Sequence, residues 1–79
     1  MIDVEDILQI VEITVGKKIT FDENAHLVKD EILDSLDSSV YLLEVERKFG
    51  VKLDDETVEK FDLFSVSKMI DFLSKALEK

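Results

Sequence analysis

The chain has no cysteine, proline or tryptophan, and among its 79 residues there are only two glycines and one histidine. Without cysteine, neither a disulfide nor a thiolate-bound metal can reinforce the fold, which fits a reducing compartment. A single histidine, His26, leaves little for acid–base catalysis, because histidine is the usual proton carrier near neutral pH. No apolar run reaches the ~20 residues that a membrane-spanning helix needs. The acidic N-terminus leads directly into an amphipathic pattern, so we predict no targeting segment and a cytoplasmic location.

Positive charge is also scarce: the chain has ten Lys and Arg residues and nineteen Asp and Glu residues, which gives a net charge of −9. Such a surface repels phosphate backbones and anionic lipids, so the sequence predicts neither nucleic-acid binding nor membrane insertion. Mutual repulsion between copies favours a monomer. The charge would steer the protein towards basic patches on other proteins, although solubility alone is an equally good explanation of the acidity.

Apolar residues are plentiful, at 46% of the chain, which is more than disordered chains contain. A packed core is therefore expected, and the length suits one small domain covering residues 1–79. Apolar residues at three- and four-residue spacings predict a first helix over about residues 3–15, ended by Gly16. In residues 17–33 the apolar residues keep no sustained helical or strand spacing. We predict a long loop held to the core by its apolar side chains.

Helical spacing returns after this loop. Asp34 is a good N-cap for a second helix that runs to about Phe49 and is ended by Gly50. A short helix is predicted from Asp54 or Asp55 to about residue 60, and a last helix to about residue 77 with Ser65 as its cap. The fold class predicted from these patterns is an all-α four-helix bundle with three long helices, one short helix and a long first loop.

Few residues could support catalysis. A Ser–His pair of Ser35 and His26 is conceivable, but no G-x-S-x-G motif accompanies it, and a partly exposed loop histidine is the more ordinary interpretation. The acidic clusters lack the ligand spacing and central glycine of a calcium loop, so we predict no dedicated metal site. We predict that the protein is not an enzyme.

The stretch Asp34-Ser35-Leu36-Asp37 is the most informative feature of the chain. It places one hydroxyl at the start of a helix, between carboxylates and away from any activating base. A phosphodiester on Ser35 would lie against the free amides at the positive end of the helix. We therefore interpret Ser35 as an attachment point, although by itself the tripeptide D-S-L is common and could mark only a helix start.

The wider sequence around Ser35 resembles the acyl carrier protein family. The similarity consists of I-L-D-S-L-D at 32–37, an E-x-x-F-G-[IV]-x-[IL] pattern at 46–53, an acidic turn at 54–56, and an S-V step opening the last helix at 65–66. It extends over essentially the whole chain. The combination is much more specific than D-S-L alone.

This resemblance implies a non-catalytic carrier with the family's four-helix fold. It implies that Ser35 carries 4′-phosphopantetheine, installed from coenzyme A by a separate magnesium-dependent phosphopantetheinyl transferase, with the cargo held as a thioester on the arm. The implied partners are that transferase and the acyl-loading and acyl-processing enzymes, which dock through basic patches. By position, the implied docking residues are Asp34, Leu36, Asp37, Val40, Leu43, Glu44, Glu46, Arg47 and Glu56.

Several positions depart from the family pattern. Glu31 and Ile32 stand where a glycine is usual, and Asp54 replaces a common proline. Apolar Val40 and basic residues at 47–48 occupy places that are often acidic, and Ser39 occupies one that is usually apolar. These departures favour a specialised partner that docks through a more hydrophobic patch.

The cargo is left open by the sequence. Fatty acyl and specialised or polyketide-type acyl groups fit the resemblance, and I-L-D-S-L is also similar to carriers of aminoacyl, D-alanyl or peptidyl groups. An acidic helical module that keeps the fold but is never modified is a further alternative. The predicted second and third helices could enclose a cleft that shelters an acyl chain, and Tyr41 is a large ring that would restrict it.

Overall fold

A computed structural model describes residues 2–77 and has four helices in this range. They are α1 (Val4–Val15), α2 (Ser35–Phe49), α3 (Asp55–Phe61) and α4 (Val66–Leu77). No extended strand forms in the described part of the chain, where the only bridge pairing joins His26 and Ser65. The all-α four-helix class and the helix boundaries predicted from the sequence are confirmed.

Short polar caps determine where the first three helices begin. In α1, the Asp3 carboxylate accepts the Asp6 amide while the Asp6 carboxylate accepts the Asp3 amide, which satisfies two free amides reciprocally. Asp34 caps α2, and the side chain of Asp54 accepts the Thr57 amide to cap α3. Each of these acids also lies at the positive end of its helix.

Two glycines end the first two helices. Gly16 has φ +75° and Gly50 has φ +67°, the left-handed conformation that closes a helix and that glycine adopts without strain. The amide of each glycine bonds to the carbonyl four residues earlier, at 2.8 Å. Both helix ends therefore lie where the sequence predicted them.

The start of α4 is capped differently from the prediction. The Ser65 carbonyl accepts the Met69 amide, but the Ser65 hydroxyl lies 3.4 Å from the Ser67 hydroxyl. The amides of Val66 and Ser67 instead donate to loop carbonyls of Ala25 and Glu23, at 3.0 and 3.1 Å. Backbone of the first loop, rather than the Ser65 side chain, thus satisfies the free amides of this helix.

The core is apolar and includes residues from every helix and from the loop. Helix α1 packs against α2 and α4, and α3 packs against α4. The fully or nearly buried side chains are Ile7, Ile10, Val11, Leu27, Leu33, Tyr41, Val45, Leu53, Val58, Leu63, Val66, Met69 and Leu73. Leu27 and Leu33 belong to the 17–33 loop, and this confirms that apolar side chains hold the loop to the core.

The end of this loop is a tight turn that leads into α2. The Leu27 amide donates to the Phe64 carbonyl at 2.8 Å, and the Leu27 carbonyl accepts the amides of Ile32 and Leu33. Glu31 closes the turn with φ +59°, in the left-handed region that favours glycine. The position where the family resemblance led us to expect glycine is therefore one whose backbone suits glycine.

Within residues 2–77, none of the helices has the length and apolar character to cross a membrane.

Candidate functional site

Ser35 is the first residue of α2 and its side chain is exposed. Asp34 precedes it as the N-cap: its carboxylate accepts the Asp37 amide at 2.8 Å. The Asp34 carbonyl accepts both the amide and the hydroxyl of Ser38, at 2.9 and 2.7 Å. These bonds fix the backbone on both sides of Ser35, so the Cα–Cβ bond of Ser35 leaves the helix in a defined direction.

Two opposing electrostatic effects act on an anion esterified at this hydroxyl: the carboxylates of Asp34 and Asp37 repel it, and the free helix amides attract it. The first amides of a helix have no intrahelical partner. Asp34 takes the amide of Asp37, which leaves those of Ser35 and Leu36 at the positive end of a helix of 15 residues. The residues present therefore fit a phosphodiester on Ser35.

A cleft lies on the same side of α2 as Ser35. Residues 35, 39 and 42 are spaced four and three apart, so they share one stripe of the helix. Ser39 and Leu42 of this stripe line an open cleft of about 530 Å³ between α2 and α3. The remaining lining residues are Ser38, Asp55, Val58, Glu59, Asp62 and Phe64. Its walls are thus partly apolar and its rim carries hydroxyls and carboxylates.

A second stripe of α2 faces solvent. Leu36, Val40 and Leu43 recur at helical spacing and are 79%, 45% and 58% exposed. Arg47 continues the same stripe and is also exposed. An exposed apolar strip of this kind indicates an interaction surface, since single exposed apolar side chains are common but an aligned row is not.

The acidic residues implied as docking residues have different surroundings. Glu44 lies 3.4 Å from the Arg47 guanidinium, and Asp37 is half-buried beside its cap. Glu56 is exposed in the first turn of α3. Glu46 has a role inside the fold, because its carboxylate accepts the Leu53 amide at 2.6 Å and ties α2 to the link before α3.

His26 is held by three hydrogen bonds and is not paired with Ser35. Its Nδ1 accepts the amides of Lys29 and Val28, at 3.0 and 3.3 Å. A nitrogen that accepts amides carries no proton, so Nε2 must be the protonated nitrogen and donates to the Asp62 carboxylate at 3.0 Å. Neither ring nitrogen is therefore free to act as a base for Ser35. The hydrogen bond from His26 also lowers the pKa of Asp62, with added attraction from Lys68 and Lys29.

Tyr41 is fully buried on the inner face of α2. Its ring centroid lies 6.2 Å from that of Phe64, and its hydroxyl has no hydrogen-bond partner among residues 2–77. Burial raises the pKa of the Tyr41 phenol well above its ordinary value, so the hydroxyl stays protonated. From the sequence we expected only a bulky ring at this position; the unpaired hydroxyl depends on tertiary packing and has no local signal.

No group of three or more His, Asp or Glu side chains in the described range is arranged to hold a metal ion.

Comparison with known proteins identifies the family. No family model matches the chain, and no solved structure is recognisably similar to it. A protein from Thermotoga maritima named Acyl carrier protein is 32% identical in an alignment of 78 positions that covers 92% of this chain and 94% of that protein. The alignment thus extends over nearly the full length of both chains. Together with the four-helix fold, this similarity shows that the chain belongs to the acyl carrier protein family.

Proposed function

We propose that this protein carries acyl groups as thioesters on a 4′-phosphopantetheine arm attached to Ser35, in fatty acid or specialised acyl biosynthesis. The observation that carries the proposal is the exposed Ser35 hydroxyl at the first position of α2, beside free helix amides and on the stripe that borders the cleft. The similarity to a named acyl carrier protein supports the same role.

The chain's own residues would position the arm rather than react with it. The Asp34 cap holds the backbone around Ser35, and the amides of Ser35 and Leu36 would be the nearest backbone donors to the ester phosphate. The arm, when attached, supplies the thiol to which cargo is joined, so the protein needs no cysteine. The ring nitrogens of His26 are both engaged, so the base that activates Ser35 would come from the partner enzyme.

The exposed stripe of Leu36, Val40 and Leu43 would be the centre of the docking surface. Apolar side chains that become buried at the centre of an interface usually contribute most of the binding energy, and charges at the rim contribute more to steering. Asp34, Asp37 and Glu44 would form an acidic rim at one side of this stripe, opposite basic patches of the transferase and of acyl-loading enzymes. Arg47 would require that part of the partner surface to accept a positive charge.

The proposal is tested by the intact mass of the protein before and after incubation with coenzyme A, magnesium and a broad-specificity phosphopantetheinyl transferase. We expect the wild type to gain the mass of one phosphopantetheine and Ser35→Ala to gain nothing. Ser39→Ala is the matched control, since it removes an exposed hydroxyl four residues away on the same stripe. It should be modified like the wild type.

Modification of Ser35→Ala would mean that another residue carries the arm. No mass gain in folded wild type with several transferases would refute the carrier role and favour an unmodified interaction module.

A further inference from the structure

Four cations surround an exposed isoleucine on the side of the molecule where α1 packs against α2. Two open hollows of about 340 and 400 Å³ adjoin there, and both have Gln9 and Ile13 in their walls. Ile13 is 71% exposed, so an apolar side chain lies at the centre of this surface. The basic side chains that line the hollows are Lys17, Lys18, Arg47 and Lys48. We name this surface, with Gln9 and Ile13 at its centre, the basic groove.

The charge of the basic groove is opposite to that of the whole chain. Four basic and two acidic side chains line the hollows, whereas the chain has ten basic and nineteen acidic residues. The two acids already have partners: the Glu12 carboxylate accepts the Ile19 amide at 3.2 Å, and Glu44 lies 3.4 Å from the Arg47 guanidinium. The groove is therefore a local region of positive charge on an acidic protein.

Most of these cations are not neutralised within the molecule. Among residues 2–77, Lys17, Lys18 and Lys48 form no ion pair, although acids outnumber bases nineteen to ten in the chain. The side chain of Arg47 is 80% exposed and contacts Glu44 through one nitrogen. An incoming anion can therefore approach all four cations without first breaking a buried ion pair.

Charge and shape together define what the basic groove can bind. Carboxylates are attracted to the cations, and an aliphatic side chain can bury apolar surface against Ile13. An extended anionic surface, such as a lipid bilayer or a nucleic acid, would also contact the acidic remainder of the protein, which repels it. For a short acidic segment, repulsion from distant acids is screened over about 10 Å at 0.1 M salt, so the nearby cations dominate.

We propose that the basic groove binds an acidic segment of a partner protein in which carboxylates flank an aliphatic side chain. The carboxylates pair with the lysines of the groove, and the aliphatic side chain packs on Ile13. This site is separate from Ser35, because the helix from Ser35 to Lys48 is about 20 Å long at 1.5 Å per residue, which exceeds the range of exposed charges in salt. Binding there needs no arm on Ser35 and goes beyond the proposed carrier function.

The test uses the blocked peptide Glu-Glu-Leu-Glu-Glu-Leu-Glu as the acidic segment and follows amide chemical shifts of isotope-labelled protein during a titration. We expect saturable shifts centred on Gln9, Ile13 and Lys48. The double change of Lys17 and Lys48 to Glu should weaken binding about tenfold or more, because two attractions become repulsions. A peptide with glycine in place of leucine should bind about threefold more weakly or worse, because the apolar contact is lost.

The double change of Lys60 and Lys75 to Glu is the matched control. Lys48 and Lys60 each lie in the last turn of a helix with the ammonium over the ring of the next residue, a phenylalanine, at 5.8 and 5.6 Å. Lys75 likewise lies in the last turn of α4. The control has the same net charge as the groove variant and should bind the peptide like the wild type. All four positions are exposed, so both variants should stay folded, which circular dichroism checks.

Equal losses in the two double variants, shifts centred outside the groove, or no saturable shift in the folded wild type would each overturn the proposal. Equal affinity for the glycine peptide would overturn the role of Ile13. Arm attachment is measured on the same proteins by intact mass and should be unchanged in both variants. Failure to attach the arm to the wild type would refute the carrier function alone, because the peptide binds without it.

Discussion

Helix α2 carries two apolar stripes that are similar in residue type, but one is buried in the core and the other is exposed to solvent. Val45, with Tyr41, is completely buried against the core, and Leu42 and Phe49 are half-buried beside them. Val40 and Leu43, with Leu36, stay 45% to 79% exposed. The residue types are nearly the same, so hydrophobicity alone does not say which stripe belongs to the core.

The difference between the stripes comes from the neighbours of the helix. Helix α1 packs on one flank of α2, the Tyr41 ring contacts Phe64 on the inner side, and Leu36, Val40 and Leu43 stay exposed. The inner stripe (Tyr41, Leu42, Val45 and Phe49) therefore contributes to stability. The outer stripe (Leu36, Val40 and Leu43) is free to contribute to binding. If this division is right, matched substitutions on the two stripes must affect different properties.

The largest expected effect separates two valines five residues apart. Val45→Asn removes buried apolar surface and buries an amide without a partner, which should lower the free energy of unfolding by about 3–5 kcal/mol. Val40→Asn, on the exposed stripe, should change it by less than about 0.5 kcal/mol. Urea unfolding followed by circular dichroism measures both. Equal losses in the two variants would show that the outer stripe also belongs to the core.

The next effect concerns the outer stripe and binding. If the proposed docking surface is right, the double change of Leu36 and Leu43 to Ala should lower kcat/KM for arm attachment by the transferase about tenfold or more, because two apolar contacts at its centre are lost, and stability should not change. Ile13→Ala on α1 is the matched control, since Ile13 is equally exposed, at 71%, but lies on another helix. A similar loss in the control would mean that general surface hydrophobicity, and not this stripe, drives docking.

The smallest effect concerns Asp62, which lines the cleft between α2 and α3. Its pKa is lowered by the His26 hydrogen bond, so the charged carboxylate stabilises the folded state above its ordinary pKa of about 3.9. This contribution is lost as pH falls through the lowered folded-state pKa. Asp62→Asn should therefore be less stable at neutral pH, by about 0.5–1 kcal/mol because the group is partly exposed. Urea unfolding measured across pH should show that the difference in the free energy of unfolding between wild type and Asp62→Asn shrinks below about pH 5. A difference that stays constant down to low pH would show that the Asp62 charge is not responsible.

The sequence predicted the helices well because their ends are determined locally. Asp34 and Asp54 cap the amides that follow them, and Gly16 and Gly50 adopt the left-handed backbone that ends a helix. The position of Ser35 at the start of α2 follows from the same local rules. Its role as the attachment residue stays a prediction until the mass is measured.

The features that the sequence missed all depend on contacts between distant segments. The partner of His26 is Asp62, 36 residues away, and α4 is capped by carbonyls of a loop some forty positions earlier in the chain. The role of Glu46 in binding the Leu53 amide could not be separated from a docking role, because both use an acid on α2. Which stripe of α2 is exposed depends on the same long-range packing.

The left-handed backbone at Glu31 has a consequence for how Ser35 is presented. A residue with a Cβ is strained there by roughly 1 kcal/mol compared with glycine, yet it has far fewer conformations available when the chain is unfolded. This restriction lowers the entropy that the chain loses on folding and offsets part of the strain. The turn that leads to Ser35 is therefore held by the hydrogen bonds of Leu27 and not by the intrinsic preference of Glu31, so the direction in which Ser35 leaves the protein depends on a contact made eight residues earlier in the chain.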